Sequence, residues 1–170
     1  MAGGLTQFGE AFAGSGKEAA HLNTVLGEKG GPVEVAWNTA LATPREGHAG
    51  FVVVAQPNMP VQPMTLFVNK AMIASTNHAT LTWGAAQLGV ASGVLDAVAD
   101  GIISSPTDLL LIAAVWVDPD AQDADLVYSF NREATRASLA RGADESVDVA
   151  ALLAVRDVPI NGYYVPPTLR

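Results

Sequence analysis

The apolar segment "LLLIAAVWV", Leu109–Val117, constrains the fold of this chain more than any other feature. A helix that crosses a bilayer needs about 20 apolar residues, so this segment is too short to span a membrane. A short, continuous apolar run is instead typical of a strand buried in the middle of a sheet. We therefore expect a soluble protein built around a central strand at 109–117.

Strand-like and helix-like patterns surround this segment without strict alternation. A helical pattern begins at Asp118 or Asp120 and runs to about Arg141, where Gly142 has the position of a C-cap. The other elements that we predict are a helix from Pro32, a helical pattern over 75–100 interrupted at "TWG", strands at 5–13, 21–27, 50–56 and 65–73, a proline-rich loop at 57–63 and a short helix within 145–155. Interleaved elements of this kind predict an α/β (α+β) sandwich of two layers.

The composition limits both the compartment and the partners. Of the 170 residues, 49% are apolar and 15% are charged, which suits one folded domain over 1–170 with an extended tail at about 157–170. The net charge of −8 is unfavourable for binding nucleic acid or an anionic membrane. The N-terminus has no signal-peptide pattern, so we expect a cytoplasmic protein. The low charge predicts that a partner subunit covers some apolar surface.

Side chains that could carry chemistry are few. The chain has no cysteine, which excludes disulfides, thiolate nucleophiles and cysteine-ligated metals. His21, His48 and His78 lack the spacing of a metal-binding helix, so we expect no metal site. The acidic run Asp118–Asp125 lacks the glycine and the final glutamate of a calcium loop. It is better interpreted as a charged helix start.

Two polar residues stand in strand patterns, and each has two interpretations. A histidine on a strand, such as His21, is usually partly buried and hydrogen-bonded, and less often an acid–base group. Lys70 shares the apolar face of Leu66 in the predicted strand. Burying an unpaired ammonium group is costly, so Lys70 either has a functional partner or extends to solvent. From the residues alone, these alternatives stay open.

Several segments resemble motifs of one enzyme family, in the order in which that family carries them. The first contains His21 and is similar to the family's G-E-A-x-x-G-x-G-x-E-x-A-H-I-D. The segments are "GEAFAGSGKEAAHLN" at 9–23, "LGEKGGP" at 26–32, "QPNMPVQPMTLFVNK" at 56–70, "WGAAQLGVA" at 83–91 with "AVADGIIS" at 97–104, and "NREATRASLAR" at 131–141. Over about residues 8–141, the chain therefore resembles formaldehyde-activating enzyme, the 5,6,7,8-tetrahydromethanopterin hydro-lyase family.

The resemblance implies a fold, an assembly and a site. The fold would be similar to the second domain of ribosomal protein S5, and the chain would form a homopentamer with a pterin site between neighbouring subunits. His21 has the position of the family's general acid. The positions that contact the pterin correspond to Asn23, Val52, Lys70, Met72 and Gln87.

Two of these positions differ from the family in chemical character. The family has aspartate where this chain has Asn23, and threonine where it has Met72. A carboxylate accepts paired hydrogen bonds from the N–H groups of a pterin ring, whereas an amide offers one oxygen, no charge and a donor. Val52 stands where the family has leucine, which is a mild change. The changes therefore lie where the site would recognise the pterin.

The resemblance implies a carbon–nitrogen lyase reaction that needs no metal, redox group or tightly bound cofactor. An amine nitrogen of a tetrahydromethanopterin-like co-substrate, or of a related amine, adds to formaldehyde or another carbonyl compound. His21 then protonates the hydroxyl group as it leaves as water. One alternative is a paralogue that has lost methanopterin activity and binds or transforms a different small molecule, as a sensor or as a biosynthetic lyase or cyclase. A purely structural oligomer is the other alternative.

Overall fold

The computed structural model describes residues 5–144 and 148–167. Its main sheet has five strands in the spatial order β1-β2-β7-β6-β3, and a separate hairpin pairs β4 with β5. Neighbouring strands of the main sheet are antiparallel, except that β6 and β7 are parallel. The strands are β1 Thr6–Ala13, β2 Ala20–Glu28, β3 Gly50–Val52, β4 Val54–Gln56, β5 Met59–Pro60, β6 Met64–Asn69 and β7 Leu109–Trp116.

The predicted central strand is confirmed as β7, which lies between β2 and β6. Leu111, Ala113 and Val115 are fully buried on one of its faces. Leu110, on the other face, packs in a second apolar cluster. Because both faces of β7 contact apolar side chains, its sequence is apolar throughout rather than alternating.

The helices are α1 Pro32–Ala42, α2 Thr76–Thr80, α3 Gln87–Ala99, α4 Ala124–Asp144 and α5 Val149–Ala154. A π-helical segment, Leu81–Ala86, connects α2 to α3 without a break. This segment contains the "TWG" at which the helical pattern is interrupted in sequence. A π-helical turn changes the phase of the helix while keeping its backbone hydrogen-bonded, so one continuous element shows a broken periodicity.

The layers meet across the main sheet. On one face, α3 and α4 pack on a core that includes Leu22, Phe67 and Leu111. On the other face, α1 places Val33 and Trp37 against part of the sheet only. The predicted α+β sandwich is thus confirmed, and the helices among the described residues leave part of one sheet face uncovered. The likeness to the second domain of ribosomal protein S5 stays a prediction.

Gly9 explains how closely α4 approaches β1. A Cβ atom at this position would collide with the backbone carbonyl of Ser138 and lie 2.6 Å from Thr24 Oγ1. The hydroxyl groups of Thr24 and Ser138 are hydrogen-bonded at 2.8 Å in the same place. Gly9, the first glycine of the family-like motif at 9–23, is therefore required by the close contact between α4 and β1.

The predicted ends of α4 are wrong at both termini. The helix begins at Ala124 because the side chain of Asp123 accepts hydrogen bonds from the backbone N–H groups of Asp125 and Leu126, each at 3.0 Å. Gly142 is not a C-cap, since α4 continues to Asp144. A Cβ atom at Gly142 would lie 3.2 Å from the carbonyl oxygen of Phe8, so a close approach accounts for this glycine.

Three predictions for the strand region also need correction. The strand expected at 50–56 is divided into β3 and β4, which belong to different sheets. The strand expected at 65–73 ends at Asn69. The proline-rich stretch expected to be a loop contains β5, which pairs with β4 through Val54 and Pro60. The last predicted helix is described from Val149 onwards, and residues 145–147 of that prediction lie outside the described residues. Among the described residues, no helix has the length and apolar character needed to cross a membrane.

Candidate active site

A group of polar and aromatic side chains lies on the face of the sheet that α1 covers only in part. In the register of β1 and β2, Glu10 pairs with Asn23 and Phe12 pairs with His21. His21 also pairs with Trp116 at the end of β7. Residues paired across neighbouring strands share one face of a sheet, so these side chains are brought together by strand register.

Alternation along β2 determines which side chains are available. Ala20 and Leu22 are fully buried on the face that packs against the helices. His21 and Asn23 point to the opposite face and are half-buried. Because α1 packs at the Leu110 end of this face, the end that carries His21 stays partly open to solvent.

His21 has a carboxylate partner. Its Nε2 donates to Glu10 Oε1 at 3.0 Å, and the two side chains are 28% and 57% exposed. The backbone carbonyl of Glu10 accepts a hydrogen bond from Arg141 at 3.0 Å, which ties this part of β1 to α4. Sequence reasoning missed Glu10 as a site residue. The hairpin register would have found it, since Glu10 pairs with the residue two positions after His21.

Lys70 contacts Asn23 across the middle of the sheet. Its Nζ donates a hydrogen bond to Asn23 Oδ1. Ala114 separates the two strands on this face, because it pairs with Asn23 on one side and with Val68 on the other. An alanine leaves room for the long side chain of Lys70 to cross β7. The backbone N–H of Lys70 donates to Val115 O at 2.9 Å, which continues the parallel ladder one residue beyond β6.

The charge of Lys70 is only partly compensated. Burial lowers the pKa of the Lys70 ammonium group below its usual value, and the nearby negative charge of Glu10 acts in the opposite direction. Asn23 supplies an oxygen but no charge. The sequence left two alternatives for Lys70, a polar partner or extension to solvent. In the structure Lys70 is half-buried and has a polar partner on the face that carries His21.

Val52 lies on the same sheet face but at its outer edge, and Met72 and Gln87 lie outside the strands of the main sheet. Val52 pairs with Leu66 and packs at the edge of the α1 cluster. Met72 follows β6 and is 60% exposed. The Gln87 amide is 5% exposed and is held by the backbone of Val54, to which Nε2 donates at 3.0 Å and from which Oε1 accepts at 3.3 Å. The structure thus brings His21, Asn23 and Lys70 together, and none of the hydrogen bonds described links Met72 or Gln87 to them.

The other two histidines have structural partners. His48 Nδ1 donates to the backbone carbonyl of Asn69 at 3.2 Å. His78 is fully buried, accepts from Ala74 N–H at Nδ1 and donates from Nε2 to Val117 O, each at 3.1 Å. Among residues 5–144 and 148–167, no cluster of three or more histidine, aspartate or glutamate side chains could hold a metal ion.

One enzyme family matches most of the chain. The sequence model of the family described as formaldehyde-activating enzyme matches residues 8–161. The chain belongs to this family. The resemblance noted in the sequence is therefore confirmed, and so is the expectation of an enzyme of the formaldehyde-activating hydro-lyase type.

Family relatives of two kinds match the chain. It is 43% identical over 151 residues to a 5,6,7,8-tetrahydromethanopterin hydro-lyase of Methanosarcina barkeri, a match that covers 88% of this chain and 85% of the relative. It is 36% identical over 151 residues to a bifunctional enzyme Fae/Hps of Methanosarcina mazei. That match covers 88% of this chain but 38% of the relative, so the chain spans a minor part of the bifunctional protein.

The C-terminal tail adds a feature beyond the part that the family model matches. The ring of Tyr163 lies edge-on against Phe12, Trp116 and His21, at centroid distances of 5.3, 5.5 and 5.9 Å. Local sequence pattern gives no signal for this contact, because Tyr163 lies 142 positions after His21 and only the fold brings them together.

Proposed function

We propose that this protein condenses formaldehyde with amine nitrogens of a reduced pterin of the tetrahydromethanopterin type, and that His21 is the general acid. The observation that carries the proposal is the His21–Glu10 pair beside Asn23 and Lys70 on a partly open sheet face. The relative that is named a tetrahydromethanopterin hydro-lyase supports this choice of pterin.

The proposed reaction needs one proton donor at the step where water leaves. An amine nitrogen adds to the carbon of formaldehyde and gives a carbinolamine. His21 protonates the hydroxyl group, the C–O bond breaks, and water leaves with the electron pair of that bond. The iminium carbon is then attacked by a second amine nitrogen, which loses its proton and closes the methylene bridge. Proton donation to a poor leaving group in this way typically accelerates a reaction by about 10²- to 10⁴-fold.

Glu10 determines which nitrogen of His21 faces the substrate. Its carboxylate accepts a hydrogen bond from Nε2–H of His21. In the protonated ring, Nδ1–H is therefore the group that can donate to the carbinolamine. A hydrogen-bonded carboxylate also holds the ring in one orientation, as it does in other acid–base pairs. We assign Glu10 the role of positioning His21.

We propose that the pterin binds between neighbouring subunits of a homopentamer. Asn23, Lys70 and Val52 would contact it from one subunit, with Met72 and Gln87 as the further pterin contacts. An apolar groove of about 350 Å³ on the same sheet face supports an interface with a second copy of the chain. Phe8, which is 72% exposed, lines this groove.

A second candidate is a paralogue that acts on a different small molecule. Asn23 favours it, because this amide occupies a position where the family motif has aspartate, and its oxygen already accepts from Lys70. An amide–pterin hydrogen bond contributes about 0.5–1.5 kcal/mol, against about 1.5–3 kcal/mol for a bond to a charged group. Methanopterin binding would then be weak, and another amine would be the substrate or ligand.

The test combines a substitution with a ligand screen. In His21→Ala, condensation of formaldehyde with the reduced pterin should fall by about 10²- to 10⁴-fold, because the proton donor is removed. His48→Ala is the matched control and should keep most of the wild-type rate, since His48 donates to the backbone carbonyl of Asn69 and none of the hydrogen bonds described links its ring to His21. A His21→Ala protein with the wild-type rate would disprove the acid role.

The ligand screen distinguishes the two candidates. Melting temperatures are measured with tetrahydromethanopterin, tetrahydrofolate and small diamines, each with and without formaldehyde. A ligand that binds only the folded state raises the melting temperature by mass action. A rise with tetrahydromethanopterin supports the first candidate, and a rise with another amine alone supports the second.

A further inference from the structure

The tail forms a defined turn before it reaches the site. The side-chain oxygen of Asn161 accepts hydrogen bonds from the backbone N–H groups of Tyr163 and Tyr164, each at 2.8 Å. The backbone N–H of Asn161 donates to Tyr164 O at 3.0 Å. An asparagine that bonds the following backbone in this way stabilises a tight turn, so the backbone that carries Tyr163 is held locally.

The ring of Tyr163 lies in a niche made by three other rings. It is edge-on to Phe12 at 83°, to Trp116 at 87° and to His21 at 80°. Gly162 lies directly against Phe12, where a Cβ atom would lie 2.6 Å from Phe12 Cγ. Edge-to-face contacts are the favoured geometry of aromatic pairs. The tail is therefore held against the site by specific contacts.

Tyr163 differs from its neighbour in this respect. Both tyrosines are about half exposed, at 57% and 54%. None of the ring contacts found among the described residues involves Tyr164. Burial raises the pKa of the Tyr163 hydroxyl, with a smaller contribution from the negative charge of Asp118. The adjacent tyrosine thus provides a matched comparison with a similar exposure and, among the ring contacts described, none with His21.

We propose that Tyr163 is a specificity-determining residue, which restricts the amines that reach His21 to those that fit beside its ring. Glu10 occupies Nε2 of His21, and the rings of Tyr163 and Phe12 lie against the imidazole. A substrate amine therefore reaches the imidazole of His21 from the side of Asn23 and Lys70. A small amine enters this way without moving Tyr163, whereas a large cyclic amine such as the reduced pterin enters only when the Tyr163 ring moves aside and loses its ring contacts, which raises KM for the pterin.

Tyr163 belongs to the C-terminal tail, so the proposed restriction on substrate size comes from the tail. The family model matches residues 8–161, and Tyr163 lies just beyond that range. The proposal rests on the proposed function of His21, because it concerns substrates of the same site. It can be tested first by a measurement that does not depend on catalysis.

The first experiment measures access to the imidazole by modification with diethyl pyrocarbonate, followed by peptide mass spectrometry. In Tyr163→Ala, His21 should be modified about threefold faster or more. The reason is that the imidazole is exposed without first breaking one or more aromatic contacts. Tyr163→Phe keeps the ring, and Tyr164→Ala removes the neighbour, so both should behave as wild type. His48 is the internal reference and should react equally in all variants. Equal modification of His21 in Tyr163→Ala and wild type would overturn the proposal.

The second experiment compares a large and a small amine. Condensation of formaldehyde is followed with tetrahydromethanopterin and with ethylenediamine in the same variants. Tyr163→Ala should raise kcat/KM for tetrahydromethanopterin relative to ethylenediamine, mainly through KM, and Tyr163→Phe should not. An equal change for both amines would contradict a role in selecting substrates. If no variant condenses either amine, the proposed function fails, while the modification rates still decide whether Tyr163 controls access to His21.

Discussion

Lys70 and Asn23 form the contact in which the chemistry of single residues matters most. The family motif has aspartate at the position of Asn23, and an aspartate there would give Lys70 an ionic partner. In this chain the ammonium group is half-buried beside a neutral amide, and its pKa is lowered by burial. A cation whose hydrogen-bond partner is neutral is suited to bind a negatively polarised group of a substrate. The substitution at Asn23 therefore changes the charge of the site as well as its hydrogen bonds.

This contact predicts how stability depends on pH. Between the lowered pKa of Lys70 and its ordinary value of 10.5, the unfolded chain binds the proton and the folded chain does not. The free energy of unfolding should therefore rise with pH across this window. In Asn23→Asp the new carboxylate raises the pKa of Lys70, so the rise should shrink. In Lys70→Met it should disappear.

The measurement is urea unfolding of the three proteins at several alkaline pH values. The differences between variants isolate Lys70 from the other groups that titrate in this range. A free energy of unfolding with the same pH dependence in all three proteins would show that Lys70 is not destabilised by burial.

The β1–β2 hairpin and α4 are the elements that form the site. The hairpin register places Glu10 beside His21. The helix α4 packs closely on Gly9 and so positions the hairpin against the helix layer. Arg141 of the same helix donates a hydrogen bond to the backbone carbonyl of Glu10. The position of the Glu10 backbone thus depends on a helix that comes more than a hundred residues later in the chain.

Gly9→Ala should destabilise the fold by about 1–3 kcal/mol, because the added methyl group overpacks the contact between β1 and α4. The matched control is Gly84→Ala, where a Cβ atom has nothing within 4 Å. That change should be neutral or stabilising by up to about 1 kcal/mol, as expected for alanine in place of a helical glycine. Chemical denaturation of both variants gives the comparison, and equal stabilities would refute the packing explanation.

At the scale of the whole molecule, one face of the sheet is incompletely covered. The apolar groove beside α1 and the exposed ring of Phe8 lie on the face that carries His21. Exposed apolar patches of this kind commonly mark contacts between subunits. A second copy on this face would lie close to the proposed site, which agrees with the proposed intersubunit pterin.

Light scattering tests the proposed assembly. We expect a particle of five times the 17.6 kDa mass of the chain. Phe8→Glu should dissociate it, because a charge would be buried in the interface without a partner. Leu95→Glu is the control on α3, against the opposite side of the sheet, where the leucine is 44% exposed. A wild-type protein that scatters as a single chain would rule out a site between subunits.

Patterns in the amino-acid sequence were sufficient to predict the central strand, the α+β class and the family. Apolar runs, helical spacing and short motifs are local, so they can be recognised without knowledge of the fold. The resemblance also pointed to His21, Asn23 and Lys70, which the fold places on one sheet face, and their roles stay predictions. Sequence reasoning failed at Gly142, where a distant contact rather than a helix end requires glycine.

The packing of the folded chain decided how these residues act on one another. Glu10 meets His21 through strand register, Lys70 reaches Asn23 across Ala114, and Tyr163 reaches His21 from the far end of the chain. Each contact joins residues that are distant in sequence or in neighbouring strands. These contacts form only when the sheet, the helices and the tail pack together. A local sequence pattern does not determine the distance between two side chains that are far apart in the chain.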